Sequence, residues 1–146
     1  MKKKEIQVAL AALRSIKMPL IGDKSLRKTI ITDHFKLLGE LKKFESDMKD
    51  LETVHLGAFE AERLEVAGLQ QRLRGTQDHE EQTRLVREID SHTALFEAIK
   101  EYNKAAEDLG EQTVEIDPID HEKFIEEIQK QDFTLGMMED LYPMFQ

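Results

Sequence analysis

The sequence predicts a mainly all-α protein built on a long antiparallel helical hairpin. Three observations carry this. Apolar residues recur at alternating four- and three-residue steps over more than three heptads in one stretch. The same pattern returns in a second stretch, and a single turn-like cluster, RGTQDHEE, separates the two. Composition agrees. With 40% hydrophobic and 35% charged residues, the chain suits helices carrying one narrow apolar stripe better than a layered α/β fold. Seven glycines and three prolines are too few and too scattered for an all-β sandwich, which needs a turn roughly every 8–12 residues.

The elements follow in order. From Lys3 to Lys17, the residues Ile6, Ala9, Leu10, Leu13 and Ile16 mark one face of a helix, which Pro19 ends. MPLIGDKS reads as an extended connector turning at Gly22, with Asp23 or Ser25 capping the next helix. There Ile30, His34, Leu37, Leu41, Phe44, Met48, Leu51 and His55 form a heptad seam. Leu64, Val66, Leu69 and Leu73 continue it less regularly towards Arg74. Unbroken, this helix would be roughly 70 Å long at ~1.5 Å per residue. Gly57 and Gly68 are its weak points. Gly75 is the expected C-terminal cap, and Asp78 with Glu81 resembles a capping box. A third helix carries Leu85, Ile89, His92, Phe96, Ile99, Asn103 and Ala106, and Gly110 stops it.

Two heptad helices joined by a short turn lie antiparallel. A turn centred at residues 76–77 sets Ile89 opposite Leu64, Ile99 opposite Val54 and Leu109 opposite Phe44. The third helix then ends before the long one begins, and the first helix covers the remainder, with Leu13 near Ile30 and Ile6 near Leu37. In the tail, Thr113–Ile116 alternate and could pair with residues 18–21 as a two-stranded ribbon. Asp120 caps a helix buried through Phe124, Ile125 and Ile128, and Thr134 opens a last helix burying Leu135, Met138 and Leu141. One domain, 1–146, is expected, with the hairpin at about 26–110 and the segment 111–146 packing back on it.

Charge is unevenly spread over a net −9. Residues 1–28 hold eight Lys/Arg against two Asp/Glu, and residues 101–146 hold three against thirteen, so the two ends are expected to pack together. The overall acidity argues against nucleic acid as a partner. The absence of cysteine removes disulfides, thiolate nucleophiles and Cys-ligated zinc. No apolar run approaches the ~20 residues of a membrane span. Glu5, Gln7 and Arg14 interrupt the basic N-terminal stretch that superficially resembles a signal peptide. The expected location is cytoplasmic.

No complete catalytic constellation emerges, and the sequence implies no cofactor, metal or catalytic residue. Glu52-x-x-His55 is one copy of a motif that a di-iron bundle needs twice, and Glu88 with His92 has i, i+4 spacing instead. Glu80-Glu81 leads to Arg84 and Glu126-Glu127 to Lys130, cations where magnesium-binding helical pyrophosphohydrolases need carboxylates. GDKSLRKT lacks the spacing of a phosphate loop. His34, His92 and Asn103 read as polar seam residues that fix register. Lys24, Arg27 and Lys28 crowd the first turn of the long helix, where the macrodipole disfavours cations by ~0.3–1 kcal/mol each. They are expected to pair with the acidic tail or to meet a partner. The upper hairpin, covered on one side, leaves Phe59, Leu69 and Leu95 as further candidate partner contacts.

The junction SIKMPLIGDKSLRK, followed by TIITDHFKLLGELKKF, resembles a family of small phage- and prophage-encoded helical proteins of unknown function. Its pattern of Gly-Lys and Ser with basic neighbours corresponds to Gly22, Lys24, Ser25, Arg27 and Lys28, with Leu26 where another basic residue is expected. The resemblance covers about the first 45 residues and implies a phage-associated context without an activity. The expectation is thus a non-catalytic accessory protein acting through protein contacts or self-association as a homo-oligomer. A nucleic-acid-associated regulator using Lys2–Lys4, Arg27 and Lys28 is the alternative, and a metal-dependent helical enzyme comes third.

Overall fold

A computed structural model describes residues 1–145. They form seven α-helices: α1 (Ile6–Arg14), α2 (Lys24–Leu56), α3 (Glu60–Gly75), α4 (His79–Asp90), α5 (Thr93–Glu111), α6 (His121–Ile128) and α7 (Leu135–Leu141). Short 3-10 turns precede α1, lie at Met18–Leu20 and Gly57–Phe59, and follow α7. The protein is mainly all-α, and no helix among the described residues is long and apolar enough to cross a membrane. Where the sequence suggests one domain, contacts gather in two compact units, residues 1–46 with 108–145, and Asp47–Glu107.

In the first unit the expected stripe of α1 is buried in full: Ile6, Ala9, Leu10, Leu13 and Ile16 join Ile30 and Leu37 of α2, Phe124 and Ile128 of α6, and Leu141 and Met144 at the C-terminus. Burying each large side chain of this kind contributes ~1.5–3 kcal/mol. The helix starts are capped as their sequences require. Asp23 Oδ1 accepts from Leu26 N at 2.8 Å, Asp120 Oδ1 from Lys123 N at 3.1 Å, and Thr134 Oγ1 from Met137 N at 3.2 Å. Asp23 therefore makes the α2 cap, and Ser25 lies within the helix.

Several expectations are corrected here. The tail segment pairs with the N-terminus and not with residues 18–21: Lys2 bridges antiparallel to Thr113, Lys3 N donates to Gln112 O at 2.8 Å, and Val114 N donates to Met1 O at 2.9 Å. The connector cannot offer an edge, because Met18–Leu20 is itself a 3-10 turn. Gly110 does not stop α5, which runs to Glu111; it sits where a Cβ would lie 3.4 Å from Lys4 Cβ. Leu135 faces outward, while Leu141 of α7 is buried as expected and Met138 is half-buried.

The second unit is an antiparallel pair, as shown by Arg72 Nη2 at 3.3 Å from Glu81 Oε1 and His92 Nδ1 at 3.7 Å from Glu62 Oε2. Its core is Val66, Leu69, Leu85, Ile89 and Leu95, with Phe59, Leu73 and Ile99 packed against it. Leu69 and Leu95 are thus buried and Phe59 half-buried, not free for a partner. The cause is a one-residue slip in each arm. At Gly57–Phe59 the seam passes through Leu56 and Phe59, which turns the expected member Leu64 to solvent; Val54, set opposite Ile99 by the turn geometry, is exposed as well. At Ser91–His92 the third helix breaks into α4 and α5, so Leu95 and Tyr102 replace Phe96 and Asn103 as the covered positions. The interruption of the long helix is therefore at Gly57, and Gly68 lies within α3. Gly75 ends α3 without the left-handed conformation of a glycine cap. Asp78 caps α4 through Glu80 N, but Glu81 turns to Arg72 and Arg84, so the reciprocal half of the box is not made.

Candidate interaction face on α2

The first four turns of α2, residues 24–37, carry two different surfaces. Ile30 and Leu37 point into the core, and with them Asp33, the one buried charged side chain among the described residues. Its Oδ1 accepts from Asp117 N at 3.1 Å, tying the 112–120 segment to the helix, while Oδ2 has no partner. Burial raises the Asp33 carboxyl to about 6, helped by repulsion from Asp117. The hydrogen bond from the Asp117 amide, and more weakly Lys36, pull the other way. Sequence reading missed Asp33, because an Asp flanking a seam residue looks like part of a solvated edge.

The opposite side of the same turns is exposed. Lys24, Lys28, Ile31 and Phe35 follow one another at four-, three- and four-residue steps, so they share one stripe. Phe35 is 67% exposed and Ile31 43%. Both line a shallow groove of about 210 Å³ with Leu13, Ile16, Met18 and His34. Leu13 and Ile30 meet on this groove, as the sequence predicts. Ile31 also borders the basic cluster Lys24, Arg27 and Lys28, so the apolar and basic surfaces are continuous. His34 stacks edge-on to Phe35, ring centroids 5.4 Å apart.

The expected ion pairs between this cluster and the tail do not form. Within this unit, among the described residues, no carboxylate lies within ion-pair distance of Lys24, Arg27 or Lys28. Arg27 instead donates to the Ile21 carbonyl through Nε and Nη2. The opposite charges of the two ends meet elsewhere. Lys2 and Lys4 both pair with Glu111, which holds the Glu111 carboxyl below its ordinary value and raises the Lys2 ammonium. Glu127 accepts from Gly22 N at 2.8 Å, and this hydrogen bond lowers its carboxyl. Of the metal-type pairs, Glu52 lies against Arg63 at 3.4 Å and His92 against Glu62 instead of Glu88. Among the described residues, no three His, Asp or Glu side chains converge.

The chain matches no protein-family model, no curated protein and no solved structure. Geometry alone therefore bears on function.

Proposed function

We propose that this protein is a non-catalytic accessory protein acting in the cytoplasm through protein–protein contact, in the phage or prophage setting that its N-terminal junction resembles. The observation that carries the reading is the continuous basic and apolar face of α2. An exposed phenylalanine and isoleucine aligned with Lys24 and Lys28, beside a groove, form a surface with an apolar anchor and a charged border. On a chain of net charge −9, a local cluster of unpaired cations is out of keeping with the whole. It favours an acidic partner surface and steers its approach. The nucleic-acid alternative draws less support, because Lys2 and Lys4, which it would use, are held by Glu111.

The test is Phe35→p-benzoylphenylalanine in the cells that make the protein, followed by illumination, with Val54→p-benzoylphenylalanine as an exposed control. A discrete protein adduct at position 35 and none at 54 is expected. No adduct at 35, or the same adducts from both positions, would remove the reading.

A further inference from the structure

The first unit carries a second exposed apolar stripe, at the other end of the chain. Leu135 and Tyr142 are 76% and 77% exposed, and with Met138 they follow one another at three- and four-residue steps along α7 and its following turn. They border a groove backed by Ile125 and Phe145. Glu139 lies on the same stripe and Asp140 beside it, within residues 101–146, where thirteen Asp/Glu stand against three Lys.

We infer that the α7 stripe is the partner surface for the α2 face, supplied by a second copy of this chain. The inference rests on the reading of the α2 face as a docking surface. Charge complementarity selects the pairing: cations without carboxylate partners on one stripe, carboxylates on the other. Order selects the orientation. Along α2 the cations come first and the apolar residues second; along α7, Leu135 and Met138 come first, then Glu139 and Asp140, then Tyr142. Antiparallel packing with Leu135 opposite Phe35 sets Met138 and Glu139 beside Ile31, with Glu139 about one turn from Lys28 and Tyr142 opposite Lys28, at ~1.5 Å per residue. Because the two stripes differ, the contact is heterologous: one α2 face and one α7 face meet at each interface. Two copies of net charge −9 repel overall, so association depends on this local match.

Heterologous pairing has a signature that self-complementary pairing lacks. The experiment is sedimentation equilibrium of the full chain over a concentration series, for wild type, Phe35→Asp, Leu135→Asp and an equimolar mixture of the two variants. Both positions are exposed, and circular dichroism checks that each variant remains folded. Wild type is expected to self-associate, each variant alone to associate at least about tenfold more weakly, and the mixture to form a 1:1 complex through its one intact pair of faces. As an independent pair, Lys28→Glu and Glu139→Lys each weaken association, and the double variant recovers it. A strictly monomeric wild type overturns the inference, as does association that neither variant changes or a mixture that stays monomeric. If wild type is monomeric while position 35 crosslinks to a different protein, this inference fails and the proposed function stands. If there is neither association nor adduct, both fail.

Discussion

Asp33→Asn separates the charge of a buried carboxylate from its shape. In the native chain the group is fully buried, with one oxygen bonded to the Asp117 amide and the other without a partner. Its carboxyl is raised from 3.8 to about 6, burial being the largest cause. The sign follows from linkage. The folded value lies above the unfolded one, so between these values the native chain binds more protons than the unfolded chain, and stability falls as pH rises. The cost is absent well below the unfolded value and complete above the folded one. The rise from 3.8 to about 6, at ~1.36 kcal/mol per pH unit, makes that full cost about 3 kcal/mol. Roughly 2 kcal/mol of it accrues between about pH 4.5 and pH 7.5.

Asn keeps an oxygen for the Asp117 amide and removes the charge, but it sets an unpaired NH2 where Oδ2 stood, at a pH-independent cost of ~1–3 kcal/mol. Stability at a single pH therefore decides nothing, and its pH dependence decides the matter. The assay is urea unfolding of both proteins at the two pH values, read from NMR signals of α1 because its core belongs to the same unit. The stability of the variant relative to wild type should rise by about 2 kcal/mol on going from the acid to the neutral condition. A carboxyl-carbon titration of wild type should give a midpoint near 6 for Asp33. A relative stability that does not change with pH, or a midpoint in the ordinary aspartate range, would refute the account.

Four further outcomes are expected. Leu85→Ala, at a fully buried position of the second unit, should cost about 2–5 kcal/mol. Hydrogen exchange should then accelerate within residues 47–107, while the amides of α1 and α6 keep their protection. Gly68→Ala should raise the thermal midpoint, gaining about 0.5–1 kcal/mol, because nothing lies within 4 Å of the new methyl group. Gly110→Ala should gain less, since its methyl meets Lys4 at 3.4 Å. Glu127→Ala should speed exchange of the Gly22 amide at neutral pH by removing its acceptor. The Glu127 carboxyl is lowered in the fold, so its contribution is present above the ordinary glutamate value and lost as pH falls through the depressed one. The exchange rates of variant and wild type should therefore converge in acid.

Helix identity, the hairpin turn, three of the caps and the burial of α1 were legible because each depends on residues a few positions apart. Ile6 to Ile16 fall on one face whatever covers them, and Asp120 caps α6 with no help from the rest of the chain. Which residues of the second unit are buried was not legible, because a heptad extrapolated through Gly57 or Ser91 is wrong by one position. One position is enough to exchange Leu95 for Phe96 at the core. The pairing of Lys2 with Thr113 was hidden for another reason: a three-residue edge has no period, and the chain termini offered as many donors and acceptors as the connector did. The α2 face was half legible. Lys24, Arg27 and Lys28 stood out as cations at the unfavourable end of a helix dipole, but Ile31 and Phe35 passed as flanking residues of the seam.

That omission bears on how a long amphipathic helix is read. The inner stripe of α2 (Leu26, Ile30, Asp33, Leu37) and the outer one (Lys24, Lys28, Ile31, Phe35) have the same four- and three-residue steps, so spacing cannot say which one the chain covers itself. Composition can. Apart from Asp33, the inner stripe is apolar and meets the core of its own unit, where large buried area offsets the entropy of ordering. The outer stripe has two apolar residues and then cations. That is too little apolar surface to hold a fold, and the right amount, with its charges, to recognise another surface reversibly. The stripe on α7 likewise joins apolar residues to charges, of the opposite sign. A chain selected only for stability would have no reason to keep Phe35, Leu135 and Tyr142 in water, where each forgoes the ~1.5–3 kcal/mol of a buried large side chain.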